Sequence, residues 1–304
     1  MAKSVLSDIR FHNEEAAFEY VEAHLWPNGP VCPHCQASGD KIGRLTGKTT
    51  RPGLRKCYAC RKPFTVRMGT IFEDSKLGLH FWLQAIHLLC SSKKGISTRQ
   101  LQRTLGCGMK TAWHLGHRIR AAMTPLPGVG PLGGAGKIVE ADETALTNSR
   151  KTKRPAGIRK RPHAIVLSLV ERGGNTRSVV LDHRGVARHL RANIHKDSKL
   201  VSDKAPYYKF PPVAAHESVD HSKGEYVRGD VHVNTLEGFF SVVKRGLVGI
   251  YQHVDSKHLD RYLAEFDFRQ NTRVKLGYND TQRASKALKG FAGKRLTYQT
   301  VDQA

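Results

Sequence analysis

The sequence predicts a multi-domain α/β protein, on three observations. Two Cys-x-x-Cys pairs, Cys32/Cys35 and Cys57/Cys60, stand near the N-terminus. A stretch at 125–136, "PLPGVGPLGGAG", contains eight Gly or Pro in twelve residues and no charge. Before it the apolar residues keep helical spacing; after it come short apolar strands and then two helices, the pattern of a mixed β-sheet flanked by helices.

The first element is a helix within residues 8–26, where Asn13 is a natural N-cap followed by acids in the first turn. A turn-rich module with short strands carries the cysteines. Helices are expected at 76–91 and 97–123, strands at 137–146, 163–172 and 176–184, and a helix at "VARHLRANI". Strands "KLVSD" (199–203) and "AAHESVDHS" (214–222) follow, then helices near 234–245 and 256–271.

The charge balance limits the partners. Among 304 residues, 50 Lys and Arg face 26 Asp and Glu, a net charge of +24. Such a field attracts polyanions, nucleic acid first among them. The N-terminal "MAKSVLSDIRFHNEEAAFEY" has no apolar core of a secretory signal, and "LHFWLQAIHLL" is too short to span a bilayer. A cytoplasmic, nucleoid-associated protein that meets double-stranded DNA is the expectation.

Each Cys-x-x-Cys pair sets two thiolates on one tight knuckle. Two knuckles separated by 21 residues supply the four-sulfur tetrahedral shell that Zn²⁺ prefers. Cys32, Cys35, Cys57 and Cys60 are therefore the expected ligands of a structural zinc ion. A redox pair is the weaker alternative.

The segment 95–123 has the look of a helix-turn-helix. Ser97 caps the first helix, "GCG" turns, and Lys110 to Met123 forms the second. Trp113, Leu115, Ile119 and Ala122 are expected inside and Lys110, His114, His117, Arg118 and Arg120 outside, with Lys110, His114 and Arg118 as DNA contacts. The alternative is a basic hairpin that only packs on its neighbours.

Asp142 lies in the apolar strand "KIVEADETAL", and Asp203 ends "KLVSD". A carboxylate in so apolar a strand is costly unless it is paired, hydrogen-bonded or bound to metal. Strand alternation puts Glu140 on the face of Asp142 and Glu143 on the other. Carboxylates at the ends of two strands, joined by a third, suit Mg²⁺ or Mn²⁺, two of which support phosphodiester chemistry. For the third, Glu237 competes with Asn234, Glu225 and Asp230. The bland reading of "NTLE" is a capping box, with Asn234 at N-cap and Glu237 three residues on. Lys244 stands two helical turns beyond Glu237, positioned to grip a phosphate, and Arg245 follows. The segment 149–162 packs seven Lys or Arg into fourteen residues. Arg150, Lys151, Lys153 and Arg154 there are expected to track a DNA backbone.

The blocks "VEADET", "VSDKAPYY" and "HVNTLEGFFSVVKRGLVGIYQHVDSKHLDRYLAEFDFRQNTR" resemble the catalytic blocks of bacterial insertion-sequence transposases of the zinc-ribbon branch. "WPNGPVCPHC", "GTIFEDSKL" and the 91–123 segment resemble the front half of the same family. The resemblance implies an RNase H-like domain with a DDE-type site: Asp142, Asp203 and a third ligand from the motif His232, Asn234, Glu237. Glu237 is favoured as ligand, Asn234 as its neighbour and Lys244 as the DNA-contacting cation. The implied activity is metal-dependent cleavage at element ends followed by strand transfer, with a homodimer or higher oligomer holding two ends. A non-catalytic DNA-binding regulator and a nuclease that cuts without joining are the alternatives. The expected division is an N-terminal helix (1–30), zinc ribbon (31–70), helical DNA-binding region (71–124), linker (125–136), RNase H-like domain (137–280) and basic tail (281–304).

Overall fold

The computed structural model describes residues 4–125, 128–146, 164–181, 185–208 and 211–294. The basic segment with Arg150, Lys151, Lys153 and Arg154 lies outside them. The chain forms two compact units. One comprises Met1–Ser92, Ile96–Met123 and Asn279–Ala304; the other comprises Lys93–Gly95 and Thr124–Tyr278.

In the first unit, helix α1 (Glu14–Leu25) starts as expected, the Asn13 side chain accepting from the Ala16 N–H at 3.0 Å. A three-stranded antiparallel sheet follows, in the order β1 (Ile42–Arg44), β2 (Arg55–Cys57), β3 (Pro63–Phe64). Helix α2 (Leu79–Ser91) has no side-chain cap of its own. Glu14 supplies one from α1, accepting from the N–H groups of Leu79 (2.8 Å) and His80 (3.2 Å). Helices α3 (Thr98–Leu105) and α4 (Met109–Met123) follow, with the Ser97 cap accepting from Gln100 and left-handed Gly106 closing α3.

The interior of α4 differs from the expectation. Leu115, Ile119 and Ala122 are buried as anticipated, but so are His117 (1% exposed) and Arg120 (2%). These two do not face outward, because the flanking packing covers more of the helix than a single stripe.

The tail expected at 281–304 is not a surface appendage over its described part. Helix α8 (Asp280–Lys289) opens with a full capping box between Asn279 and Gln282. It buries Ala287 and Leu288, packs against α2, and lets Arg283 donate to the Cys90 carbonyl at 2.8 Å. Phe291, just beyond, meets Phe72 edge-on at 5.3 Å.

The second unit is built on a five-stranded sheet: β4 (Ile138–Leu146), β5 (Ala164–Glu171), β6 (Thr176–Val180), β7 (Lys199–Asp203) and β8 (Ala215–Val219). Its spatial order is β6-β5-β4-β7-β8. The β6-β5-β4 pairings are antiparallel, while β4-β7 and β7-β8 are parallel. On one face Val139, Ala141, Leu167 and Leu169 pack with Val186 and Leu190 of helix α5 (Gly185–Asn193). On the other, Leu146, Val166 and Val170 meet helices α6 (Asn234–Gly246) and α7 (Leu259–Asn271) through Phe239, Phe240, Leu263 and Phe266. A mixed sheet with an antiparallel meander, parallel crossovers and helices on both faces is the RNase H-like fold that the resemblance implies.

The second half of the Gly/Pro stretch is part of this unit. Leu132 is 5% exposed, donates to Asn193 O at 2.8 Å and accepts from His195 N at 2.8 Å. Gly133 (φ +90°) runs so close to Ser198 that a Cβ would lie 2.1 Å from its hydroxyl. Only glycine passes there, so the composition reflects close backbone approach as much as a hinge.

Candidate active site and metal-binding knuckles

The register of the parallel pair sets the acidic site. Ala141 stands opposite Ser202, so the next residue on each strand, Asp142 in the middle of β4 and Asp203 at the end of β7, comes side by side where the parallel ladder stops. Carboxylate oxygens of Asp142, Glu143 and Asp203 all lie within 4.8 Å of one another. Asp142 accepts the Glu143 N–H at 2.8 Å. Burial, and then the Asp203 charge, push its pKa up to about 7, with Glu143 and Glu237 adding to the rise. Burial also raises the Asp203 carboxyl, partly offset by His221. The Asp203 Oδ1 atom is buried with no hydrogen-bond partner. An orphaned carboxylate oxygen facing two more carboxylates is costly as it stands. The all-oxygen donor set fits a hard divalent cation, which would supply the missing partner.

Glu143 was expected on the face away from Asp142, and its Oε1 does accept from Tyr208 Oη at 2.5 Å, with Tyr208 in the α5-side core. Its carboxylate still joins the cluster, because the β4–β7 pairing stops at Ala141 and Ser202, and past that point a long side chain can reach round the unpaired flank of β4. The adjacent pair of acids in "ADET" is the only sequence signal for this.

The block 232–237 differs from the capping-box reading. Val233, not Asn234, is the N-cap of α6, and no side chain on its own segment caps the helix. Glu140 does so from β4: its carboxylate accepts from Thr235 N (3.1 Å), Thr235 Oγ1 (2.9 Å) and Leu236 N (3.3 Å). Fully buried, Glu140 is also paired with Arg172 at 2.8 Å, and His232 stands 3.7 Å away. Asn234 and Glu237 are thereby left exposed on the first turn of α6, with Glu237 near enough to bias Asp142. Lys244 and Arg245 are exposed near the end of the same helix; the Arg245 Nε donates to Ser241 O at 3.1 Å. Of the α4 cations, Lys110 is exposed, whereas Arg118 is half-buried and donates to Glu73 O at 2.8 Å.

In the first unit the sulfur atoms of Cys32, Cys35, Cys57 and Cys60 also lie within 4.8 Å of one another. Cys32 stands 3.7 Å from Cys60 and Cys35 3.6 Å from Cys57. The residue after each pair, Gln36 or Arg61, adopts a left-handed conformation (φ +61° and +62°), so the two knuckles repeat one backbone shape. The Cys60 backbone N–H leads in holding the Cys57 thiol down to about 7, which favours the thiolate form that binds metal.

The four-cysteine ribbon stands in one unit, and the RNase H-like sheet with its adjacent aspartates in the other. Residues 131–271 match the ISXO2-like transposase domain and residues 12–63 the transposase zinc-ribbon domain. A protein described as "Uncharacterized protein in transposable element ISH50", from Halobacterium salinarum, is 28% identical over 290 residues, 88% of this chain and 94% of its own. The solved Mos1 strand transfer complex aligns over 64% of this chain and 76% of its own, at 16% identity and a TM-score of 0.20. The chain carries both the zinc-ribbon and the ISXO2-like domains of insertion-sequence transposases. Among the described residues no helix is long and apolar enough to cross a membrane.

Proposed function

We propose that the protein binds the ends of an insertion sequence, cleaves DNA strands there and joins the freed 3′-OH to target DNA. The observation that carries this reading is the convergence of Asp142, Asp203 and Glu143 where the parallel ladder of β4 and β7 stops, with the Asp203 Oδ1 unpartnered. Asp142 and Asp203 hold divalent metal, Mg²⁺ or Mn²⁺, and Glu143, fixed by the Tyr208 hydroxyl, and Glu237 of α6 complete the set. When bound there, a pair of such ions would supply activation of the attacking oxygen and stabilisation of the leaving one. Lys244, exposed along α6 from Glu237, binds phosphate, and Asn234 flanks the site. The four cysteines hold structural Zn²⁺, which keeps the ribbon folded. A homodimer on DNA brings two ends together.

The test compares wild type with Asp203→Ala, Glu143→Ala, Asn234→Ala and Glu237→Ala. Each is incubated with labelled DNA carrying the element ends and Mg²⁺ or Mn²⁺. Asp203→Ala should lower cleavage by about 10³-fold, the scale of several kcal/mol of lost charge stabilisation, with DNA binding retained. Cleavage at the wild-type rate would refute the site. Loss with Glu237→Ala and not with Asn234→Ala makes the α6 acid the further ligand; the reverse result makes it the amide. Cutting without joining by wild type would leave a nuclease.

A further inference from the structure

Helix α4 carries its aromatic and basic residues into a concave space. A cleft of about 690 Å³ opens between the turn before α2 and the first two turns of α4. Trp82, fully buried and fixed by its Nε1 donating to Ser75 Oγ at 3.1 Å, forms part of its wall. Trp113 is half-buried and also lines the cleft, with the His117 ring 4.1 Å from its own. Lys76 and Lys110, both exposed, line it too, and Arg118 reaches over the Trp82 ring at 5.9 Å. His114 meets Trp113 edge-on at 5.1 Å. None of the described residues lining the cleft is acidic.

Indole rings beside exposed cations match a nucleobase attached to its phosphates. Bases stack on indole rings while Lys and Arg neutralise the backbone, the combination by which single strands are held. A cleft of this volume is the size that encloses a small flat ligand. Duplex DNA presents a convex, stacked surface and cannot enter a concavity with its bases paired. A recognition helix seated in a major groove would also need an outward basic face, and the burial of His117 and Arg120 removes two of the cations from it.

We infer that this cleft binds an unpaired deoxynucleotide, with its base against Trp113 and its phosphates on Lys76 and Lys110. The inference rests on the proposed action on DNA and specifies which form of DNA this unit takes.

The experiment uses the full chain without added magnesium or manganese. The probes are a short single-stranded oligodeoxynucleotide carrying one 2-aminopurine, and the same sequence as a duplex. Trp113→Ala should weaken single-strand binding by about tenfold or more, the scale of one lost base–aromatic stack, and remove the change in 2-aminopurine fluorescence. Trp113→Phe, which keeps a stacking ring, should retain most of both, and duplex binding should fall little in either variant. Unchanged single-strand affinity in folded Trp113→Ala, or equal losses for single strand and duplex, would overturn the inference. If Trp113→Ala does not fold, the exposed pair Lys76→Ala/Lys110→Ala decides: single-strand affinity should fall more than duplex affinity, and no fall overturns it. Cleavage of the element ends by wild type is measured in a separate reaction with Mg²⁺, so failed cleavage and failed stacking are read separately.

Discussion

Asp142 is the residue on which chemistry and stability oppose each other. Its carboxyl is raised from the ordinary range to about 7, so folding takes up a proton. The stability tied to that proton is therefore full below the pKa of the unfolded chain and is lost as the pH rises through about 7. Without added divalent metal, Asp142→Asn should melt at a higher temperature than wild type at pH 8, and the advantage should disappear by pH 4. Adding Mg²⁺ at pH 8 should raise the wild-type melting temperature more than that of the variant, because the cation neutralises charge that the variant lacks. An equal melting temperature for the two proteins at pH 8 would show that the cluster carries no such tension. Asp142 and Asp203 were legible because an acid in an apolar strand stands out. Glu143 was not, because strand alternation describes where a side chain leaves the backbone and not where a long one ends.

At the scale of elements, two helices are started by carboxylates from elsewhere. Glu14 of α1 caps α2, and Glu140 of β4 caps α6. The local signals misdirect in both places: α2 opens on Gly78, and α6 offers an apparent capping box that the structure does not use. Glu140 has the larger consequence, because it anchors the helix that presents Asn234, Glu237 and Lys244. Its replacement by Ala leaves the Arg172 cation beside a buried gap and two helix amides without an acceptor. Removing one partner of a buried ion pair costs about 3–5 kcal/mol. Urea unfolding of Glu140→Ala should show a loss on that scale, and a loss under about 1 kcal/mol would contradict the anchoring role. The true capping box, at Asn279 and Gln282, begins α8.

At the scale of the whole molecule, the chain leaves its first unit after Met123 and returns to it at Asn279. Helix α8 therefore completes a core that starts more than 200 residues earlier in the sequence, with Leu288 1% exposed in it. Leu288→Ala should destabilise that unit by about 2–5 kcal/mol, the usual cost of emptying a packed leucine site. Limited proteolysis should then cleave the N-terminal unit first, and an unchanged pattern would place α8 outside the core. Composition showed only that 281–304 is basic, since a short amphipathic helix does not announce its partner. By itself the sequence determined the features whose physics is local: the cysteine knuckles, the net charge, the Asn13 and Ser97 caps, and the two aspartates in apolar strands. Tertiary structure alone decided that Glu143 joins them, that Glu140 starts α6, that the glycines at 133–134 dock against Ser198 and Glu171, and that α8 returns to the first unit. Each of those depends on burying groups that are distant in the chain, and which distant groups meet is set by packing of the whole core and not by the spacing of neighbours.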